Sequence, residues 1–362
     1  MNLVIWMNIP SHHQSQFFDS LNKICSEFKV FYYDKVPSTR SEMGWENDIK
    51  FKEYETYIDP ADFELNLDDF REYIHILPGY GHPFLVKLRN NFSKNNIKWV
   101  HWSEKSRTGI YWYLSFFKKK LHAKYINKFA LGAFAIGNQA KCDFINWGVE
   151  RKKIEILPYS FNNLNYELPD QEILSFKKER VAFLFVGALC KRKGIDILLE
   201  AFSNKFKGDN QWCLVLVGNN KKDIDCKDLV NKLGIEDQVL FRGVIPSIKI
   251  MSAYKAADIF ILPSRHDGWG MVVNEAVYCN LPVIASDAVG SSEHLIKPGI
   301  NGFVFKANDP DSLAENMIKY KDYQLIDKQK ELVLKEKIFS QYSSDSLSKY
   351  LIEILNSWIS IK

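Results

Sequence analysis

The chain has 362 residues, 46% hydrophobic and 25% charged, with a formal net charge of +4. That length exceeds the roughly 250 to 300 residues at which one hydrophobic core stops growing, so two domains are expected, and the composition is that of a soluble globular protein. So small a charge on so long a chain excludes a protein built as a whole for nucleic acid, of which it also has no recognisable module, and no run approaches the ~18 apolar residues of a membrane span.

MNLVIWMNIP at the N-terminus lacks a basic n-region and a small-residue cleavage site, and it reads as a first β-strand rather than a signal peptide. Short apolar runs bounded by turn residues then alternate with helical patterns: LVIW (3–6), KVFYY (29–33), YIHIL (73–77), KWVHW (98–102), AFAI (133–136) and KIEIL (153–157). This is the rhythm of βαβ units, hence of a parallel sheet covered by helices. Residues 160–180, rich in Asn, Pro and charge, read as a linker running into a surface helix. The rhythm resumes with VAFLFVG (181–187), WCLVLVG (212–218), QVLFRG (238–243), DIFILP (258–263), LPVIAS (281–286) and GFVF (302–305). From about residue 311 the pattern is helical, and the last stretch, SSDSLSKYLIEILNSWISIK (343–362), has an apolar face that needs a partner. The expected organisation is therefore a Rossmann-like domain over 1–163, a second over 164–340, and a C-terminal helix over 341–362. None of the six cysteines forms a CxxC pair or a metal-ligand spacing, which fits reduced thiols and a cytoplasmic setting.

Open α/β sheets bind ligands at the C-terminal ends of their strands, and four segments of the second half fall there. In VGALCKRKG (186–194), a turn at Gly187 is followed by Lys191, Arg192, Lys193 and Gly194; cations at such a mouth suit a diphosphate, since Arg grips phosphate bidentately and Lys adds a point charge. A solvated basic turn is the alternative. In SRHDGWGMVVNEA (264–276), Asp267 precedes Gly268, Trp269 and Gly270, which lead into a helix containing Met271 and Glu275. Were the helix to begin near Asp267, positions 267, 271 and 275 would share a face. Both carboxylates could then address sugar and ribose hydroxyls, while the first-turn N–H groups bind an anion. The competing reading makes Asp267 a helix cap and Glu275 a solvated residue. Gly243 and Val244, ending the strand at 238–243, offer backbone groups to a nucleobase, and Gly290 to Ser292 form a small-residue loop before a helix.

These residues resemble the retaining glycosyltransferases of family 4, most closely over 181–310 and more loosely over the first 160 residues. The resemblance implies the GT-B fold: α/β, two facing Rossmann-like domains with parallel sheets and a C-terminal helix crossing back towards the N-terminal domain. It also implies transfer, with retention, of a sugar from a UDP- or GDP-linked donor to a glycan or lipid-linked glycan in surface polysaccharide assembly. The family's Glu-x7-Glu pair stands here as Asp267-x7-Glu275, implying that Asp267 meets donor-sugar hydroxyls, Glu275 the ribose, and the N–H groups of Gly270 and Met271 the diphosphate or sugar. Of the Gly-Arg-Leu-x3-Lys-Gly pattern, Gly187, Leu189, Lys193 and Gly194 match, but Ala188 replaces the arginine, and Arg192 is the candidate to substitute for it.

On the acceptor side, His12 and His13 in IPSHHQSQFFDSL (9–21) fall where the first strand meets its helix, and loop residues of this kind bind ligands or simply meet solvent. In VHWSEKSR (100–107), Glu104 is the best match to the family's N-terminal catalytic group, His101 is its competitor, and Arg107 is a further acceptor contact. No metal or other cofactor is expected, since cations and a helix entry already cover the diphosphate; the Asp223-Ile224-Asp225 triplet reads as a solvated loop. From Lys105 to Cys142 there is no acidic residue, and seven Lys or Arg interleave with aromatics over 105–129. Residues 105–128 are thus a candidate face for an anionic membrane, with peripheral placement on the inner face of the cell membrane; a core helix with solvated lysines is the alternative. A Rossmann oxidoreductase is disfavoured because neither half has GxGxxG after its first strand, leaving a non-catalytic nucleotide-sugar-binding or assembly protein as the main rival.

Overall fold

The computed structural model describes residues 1–37, 50–64, 66–106, 110–161, 167–321 and 328–360. They form two compact units, one of Met1–Val36, Asp48–Asn162 and Ser340–Lys362, the other chiefly of Asn163–Phe339.

Among the described residues the first unit holds a seven-stranded sheet of β1 (Asn2–Met7), β2 (Glu27–Tyr32), β3 (Glu55–Tyr57), β4 (Tyr73–Pro78), β5 (Trp99–Ser103), β6 (Ala133–Ala135) and β7 (Ile154–Ile156), in the order β3-β2-β1-β4-β5-β6-β7. Every pairing in it is parallel. Each apolar run of the sequence becomes a strand; in central strands such as β1 and β4 almost every consecutive side chain is buried, as in a parallel sheet covered by helices on both faces, whereas β2 towards the edge alternates. The one strand without such a run is β3, a three-residue edge strand reading ETY. Trp6 anchors the core, stacked on Phe31 at 4.9 Å and edge-on to Phe84 at 5.8 Å, with its Nε1–H donated to His75 Nδ1 at 3.2 Å. A buried indole needs that acceptor, and the pairing keeps His75 neutral in a site where burial lowers it to about 4.

The C-terminal helix Ser344–Ser360 completes this unit. It packs on helix His12–Ile24, accepting Ser20 Oγ–H at Asp345 Oδ1 at 2.5 Å, and donates Tyr350 OH to Glu155 at 3.0 Å. Trp358 lies 4.9 Å from the Phe134 ring, and Gly132 leaves it space: a Cβ there would fall 2.5 Å from the indole.

Among the described residues the second unit holds β8 (Val181–Val186), β9 (Trp212–Val217), β10 (Val239–Gly243), β11 (Ile259–Leu262), β12 (Val283–Ser286) and β13 (Gly302–Phe305), in the order β10-β9-β8-β11-β12-β13. All its pairings are parallel too. Helix Gln171–Lys177 precedes it, capped by Asp170, whose carboxylate also holds Arg242 at 3.0 Å. Asp225 of the Asp223-Ile224-Asp225 triplet caps helix Cys226–Leu233, and Asp223 accepts Lys191 N–H at 3.0 Å.

In each unit the chain reverses direction across the sheet beside one central strand, between β1 and β4 and between β8 and β11. At the second reversal, the loop leaving β8 lies against the end of β11. Gly194, at φ 72°, has no room for a side chain, since a Cβ would sit 1.9 Å from the Pro263 carbonyl oxygen. Gly208 has nearly the same φ, 75°, with nothing within 4 Å of its Cβ position. Gly208→Ala should cost only the strain of a left-handed residue, about 1 kcal/mol, and Gly194→Ala at least about 3 kcal/mol, because backbone must move as well. Urea unfolding measures both, and equal losses would show that the two loops do not touch.

Candidate active site

The switch point of the second unit brings together Arg192, Lys193 and Asp267. Lys191–Lys193 form a turn of 3-10 helix directly after β8, closed by left-handed Gly194. The Lys193 ammonium reaches across to Asp267 Oδ2 at 2.5 Å, both side chains being only 14% exposed. The cation and the first acid of the Asp-x7-Glu pair thus meet, although 74 residues separate them. Arg192 is exposed and donates Nη1–H to the His266 carbonyl at 3.1 Å, on the solvent side of the same loops.

Helix Met271–Tyr278 begins only after Gly270, which adopts φ 90°. Asp267 therefore does not share a helical face with Met271 and Glu275, contrary to the expectation: the left-handed glycine starts the helix four residues later. Asp267 instead forms a bridge with Val289, its N–H reaching the Ala288 carbonyl at 3.2 Å. Neither does it cap the helix through its side chain. Gly268, Trp269 and Gly270 are buried between this segment and the loop after β12. A Cβ on Gly290 would lie 2.1 Å from the Gly268 carbonyl oxygen, and Ser291 N–H bonds the Trp269 carbonyl at 2.8 Å. Trp269, 1% exposed, donates its indole N–H to Asn274 at 2.9 Å and so locks the helix entry. Met271 starts the helix, where first-turn N–H groups have no intrahelical partner.

Glu275 is not a solvated residue. It is 6% exposed and accepts Tyr254 OH at 2.7 Å, and burial pushes its carboxyl up from 4.5 to about 7 while that hydrogen bond opposes the rise. Gly187 stands just past β8 at φ 146°, close enough to Gly218 that a Cβ on Gly218 would meet its carbonyl oxygen at 1.9 Å. Gly243 and Val244 lie at the end of the edge strand β10, Gly243 at φ 76° with open space around its Cβ position.

The local sequence does not announce the braces of this site. Arg265 holds Asp196 through two hydrogen bonds of 2.7 and 2.9 Å and bonds the Lys191 carbonyl, tying the end of β11 to the basic turn. The buried Ser291 hydroxyl lies 3.5 Å from the Cβ position of Gly270, and neither it nor the buried Ser264 hydroxyl has a hydrogen-bond partner among the described residues.

In the first unit a cleft of about 430 Å³ opens at the C-terminal ends of the strands, lined by Asn8, Tyr80, His82, Ser103, Glu104 and Tyr159 among others. Glu104 stands on the segment after β5, which Ser106 tethers by donating N–H and Oγ–H to Asp143 Oδ2, both at 2.7 Å. His12 and His13 begin the helix after β1, half-buried, their rings 3.8 Å apart; Asn8 and Gln14, on either side of them, line the cleft. His101 is different. It lies within β5, is 0% exposed, and bonds His122 and Ser103, so it is a core residue and not an acceptor contact. Arg107 lies outside the described residues.

Residues 169–337 match the family described as Glycosyl transferases group 1. The chain is 26% identical over 225 residues to an uncharacterized glycosyltransferase of Methanocaldococcus jannaschii, covering 59% of this chain and 56% of that one. It is 30% identical over 139 residues to a lipopolysaccharide core biosynthesis mannosyltransferase, LpcC, of Rhizobium leguminosarum bv. viciae, covering 37% and 39%. It thus spans about half the length of the curated relatives it matches. Among solved structures, Anabaena Alr3699/HepE in complex with UDP superposes with a TM-score of 0.75 at 17% identity, over 99% of this chain and 100% of that one, and the same protein has been solved with UDP-glucose. The likeness shows the fold, two parallel-sheet Rossmann-like units of the GT-B type.

Glu275 makes the site pH-sensitive in a definite direction. The folded carboxyl holds its proton more tightly than the unfolded one, so the stability due to the protonated form is complete below pH 4.5 and is lost as pH rises through about 7. Glu275→Gln imitates the protonated form and should gain on the native protein by roughly 3 kcal/mol between about pH 4.5 and 8. Parallel urea-unfolding profiles for the two proteins would rule out a buried acid.

Proposed function

We propose that the chain is a retaining glycosyltransferase of the family 4 type. The second unit binds a UDP- or GDP-linked sugar, and the first unit binds a glycan or lipid-linked glycan in its cleft, in the assembly of surface polysaccharide. The observation that carries the donor half is the contact between Lys193 and Asp267 at the switch point, beside a helix entry opened by Gly270. The UDP and UDP-glucose held by the Anabaena protein support a nucleotide sugar, and the lipopolysaccharide core role of the Rhizobium relative supports a glycan acceptor.

An acceptor hydroxyl attacks the anomeric carbon on the face from which the diphosphate leaves. The bond from that carbon to the phosphate oxygen breaks, its electron pair stays on the phosphate, and the same phosphate oxygen takes the hydroxyl's proton. Such a path retains configuration without a protein nucleophile; what it needs is stabilisation of the departing charge. Lys193 supplies that charge, Arg192 takes the place of the family arginine that Ala188 lacks, and the N–H groups of Gly270 and Met271 add the positive end of a helix. Asp267 passes from holding Lys193 alone to orienting it between carboxylate and diphosphate while accepting a sugar hydroxyl. Glu275 meets the ribose hydroxyls, Gly243 and Val244 the base, and Glu104, His12 and His13 the acceptor. Cations and dipole together neutralise the diphosphate, so the reaction proceeds without a metal.

The helix Ile110–Phe129 carries Tyr113, Phe117 and Leu121 at 72, 81 and 57% exposure. Spaced four apart they form one outward stripe beside exposed Lys118, Lys120 and Lys124, the pairing of apolar and cationic groups that binds an anionic leaflet. Among the described residues no helix is long and apolar enough to cross a membrane, so the proposed contact is peripheral, on the inner face where lipid-linked acceptors are built.

Lys193→Ala should reduce sugar release from UDP-glucose and GDP-mannose by about 10² to 10³-fold, as for loss of one transition-state donor, with the far-UV spectrum unchanged. Turnover undiminished in that variant, or no nucleotide released by the native chain, would favour the non-catalytic binder. In liposome sedimentation, binding to anionic vesicles should fall at least about tenfold for the double variant Phe117→Ser, Leu121→Ser; native binding that ignores lipid charge would remove the membrane face.

A further inference from the structure

The first unit contains a buried polar chain that runs from its core to the cleft. Arg89 comes in from helix Pro83–Lys94, 9% exposed, with its guanidinium 4.6 Å over the Tyr125 ring and no carboxylate paired with it among the described residues. Its Nη1 is 2.7 Å from His122 Nδ1, His122 Nε2 is 3.2 Å from His101 Nδ1, and His101 Nε2 is 2.8 Å from Ser103 Oγ. A guanidinium can only donate. His122 Nδ1 must therefore accept, which puts the ring's hydrogen on Nε2, from where it is donated to His101 Nδ1. The same step repeats: His101 carries its hydrogen on Nε2 and faces Ser103 Oγ with it, the ring also making a backbone hydrogen bond at Gly79. Both rings are neutral, His122 being held well below the usual 6.5 and His101 at about 3 by burial, with the Arg89 charge acting in the same direction. Since Ser103 Oγ receives a hydrogen bond from His101, its own hydrogen must be donated elsewhere, and the residue lines the cleft.

Buried polar chains are expensive compared with apolar packing of the same shape, and one that ends at a ligand cleft has a use for its directionality. We propose that Ser103 is a hydrogen-bond donor to an oxygen of the sugar acceptor in this cleft, with Arg89, His122 and His101 as positioning residues that fix which way its hydroxyl points. This rests on the reading that the first-unit cleft takes the acceptor.

Long-range proton–nitrogen correlation spectra of the full chain labelled at histidine, with His101→Gln and His122→Gln used for assignment, read each tautomer directly. At neutral pH both rings should be neutral and carry hydrogen on Nε2. Methyl α-D-glucopyranoside, added as a sugar-hydroxyl probe, should shift the His101 resonance in the native chain and in Ser103→Thr, which keeps the hydroxyl. Ser103→Ala should bind the glycoside about 3- to 10-fold more weakly, the worth of one neutral hydrogen bond, and its His101 resonance should no longer respond. Hydrogen on Nδ1 of either ring, a charged ring, or a His101 resonance that ignores the glycoside or follows it equally in Ser103→Ala overturns the proposal. Spectra as expected together with no transfer from UDP-glucose or GDP-mannose would instead sink the transferase reading and leave Ser103 a sugar-binding donor.

Discussion

The second unit depends on two loops occupying nearly the same space. The turn after β8 and the end of β11 approach until only a hydrogen atom fits between Gly194 and the Pro263 carbonyl. Everything the site does follows from that closeness. It brings the Lys193 ammonium within reach of Asp267, lets Arg265 clasp Asp196 while touching the Lys191 carbonyl, and sets three cations around one reversal of the sheet. A charged pair with both members at 14% exposure is weak evidence of stability, because taking the charges out of water costs most of what their attraction returns. Its better justification is geometric: the pair presents at the switch point a cation that is already aimed and already partly desolvated, so an anionic group bound there would leave little to be reorganised.

The two units treat buried charge differently. In the second, burial raises the Glu275 carboxyl to about 7 against the opposing hydrogen bond from Tyr254, so near neutral pH it can donate or accept. In the first, burial keeps two imidazoles neutral, with the Arg89 charge acting in the same direction, and the donating guanidinium passes a fixed hydrogen-bond direction outward. One device can change its hydrogen-bonding role with pH, and the other keeps a single direction.

Much of this was legible in the residues themselves. Apolar runs such as VAFLFV and WCLVLV can only be strands buried on both faces, and each became one. The two-residue β-branched or aromatic alternation that would reveal an edge strand is missing from ETY, so β3 left no mark. The basic turn and the acid at 267 were visible by their places at strand ends, but not their pairing across 74 residues, nor Tyr254 beneath Glu275 at a separation of 21. His101 shows the limit most clearly. It falls in the strand run KWVHW, but the sequence does not say which side of the strand it takes, and that side is occupied by His122, Phe144 and Trp147 from helices that no local pattern ties to it.

The core of the first unit is assembled from distant parts of the chain. Trp358 fills the notch over Gly132 and Phe134, and the helix that carries it covers helix His12–Ile24. During synthesis the strands β1 to β7 leave the ribosome long before residues 344–360 exist, so the nascent first unit must wait, with that apolar notch uncovered, while the whole second unit is made and folded. Its maturation is thereby timed by the helix Ser344–Ser360: the unit that is begun first is finished last.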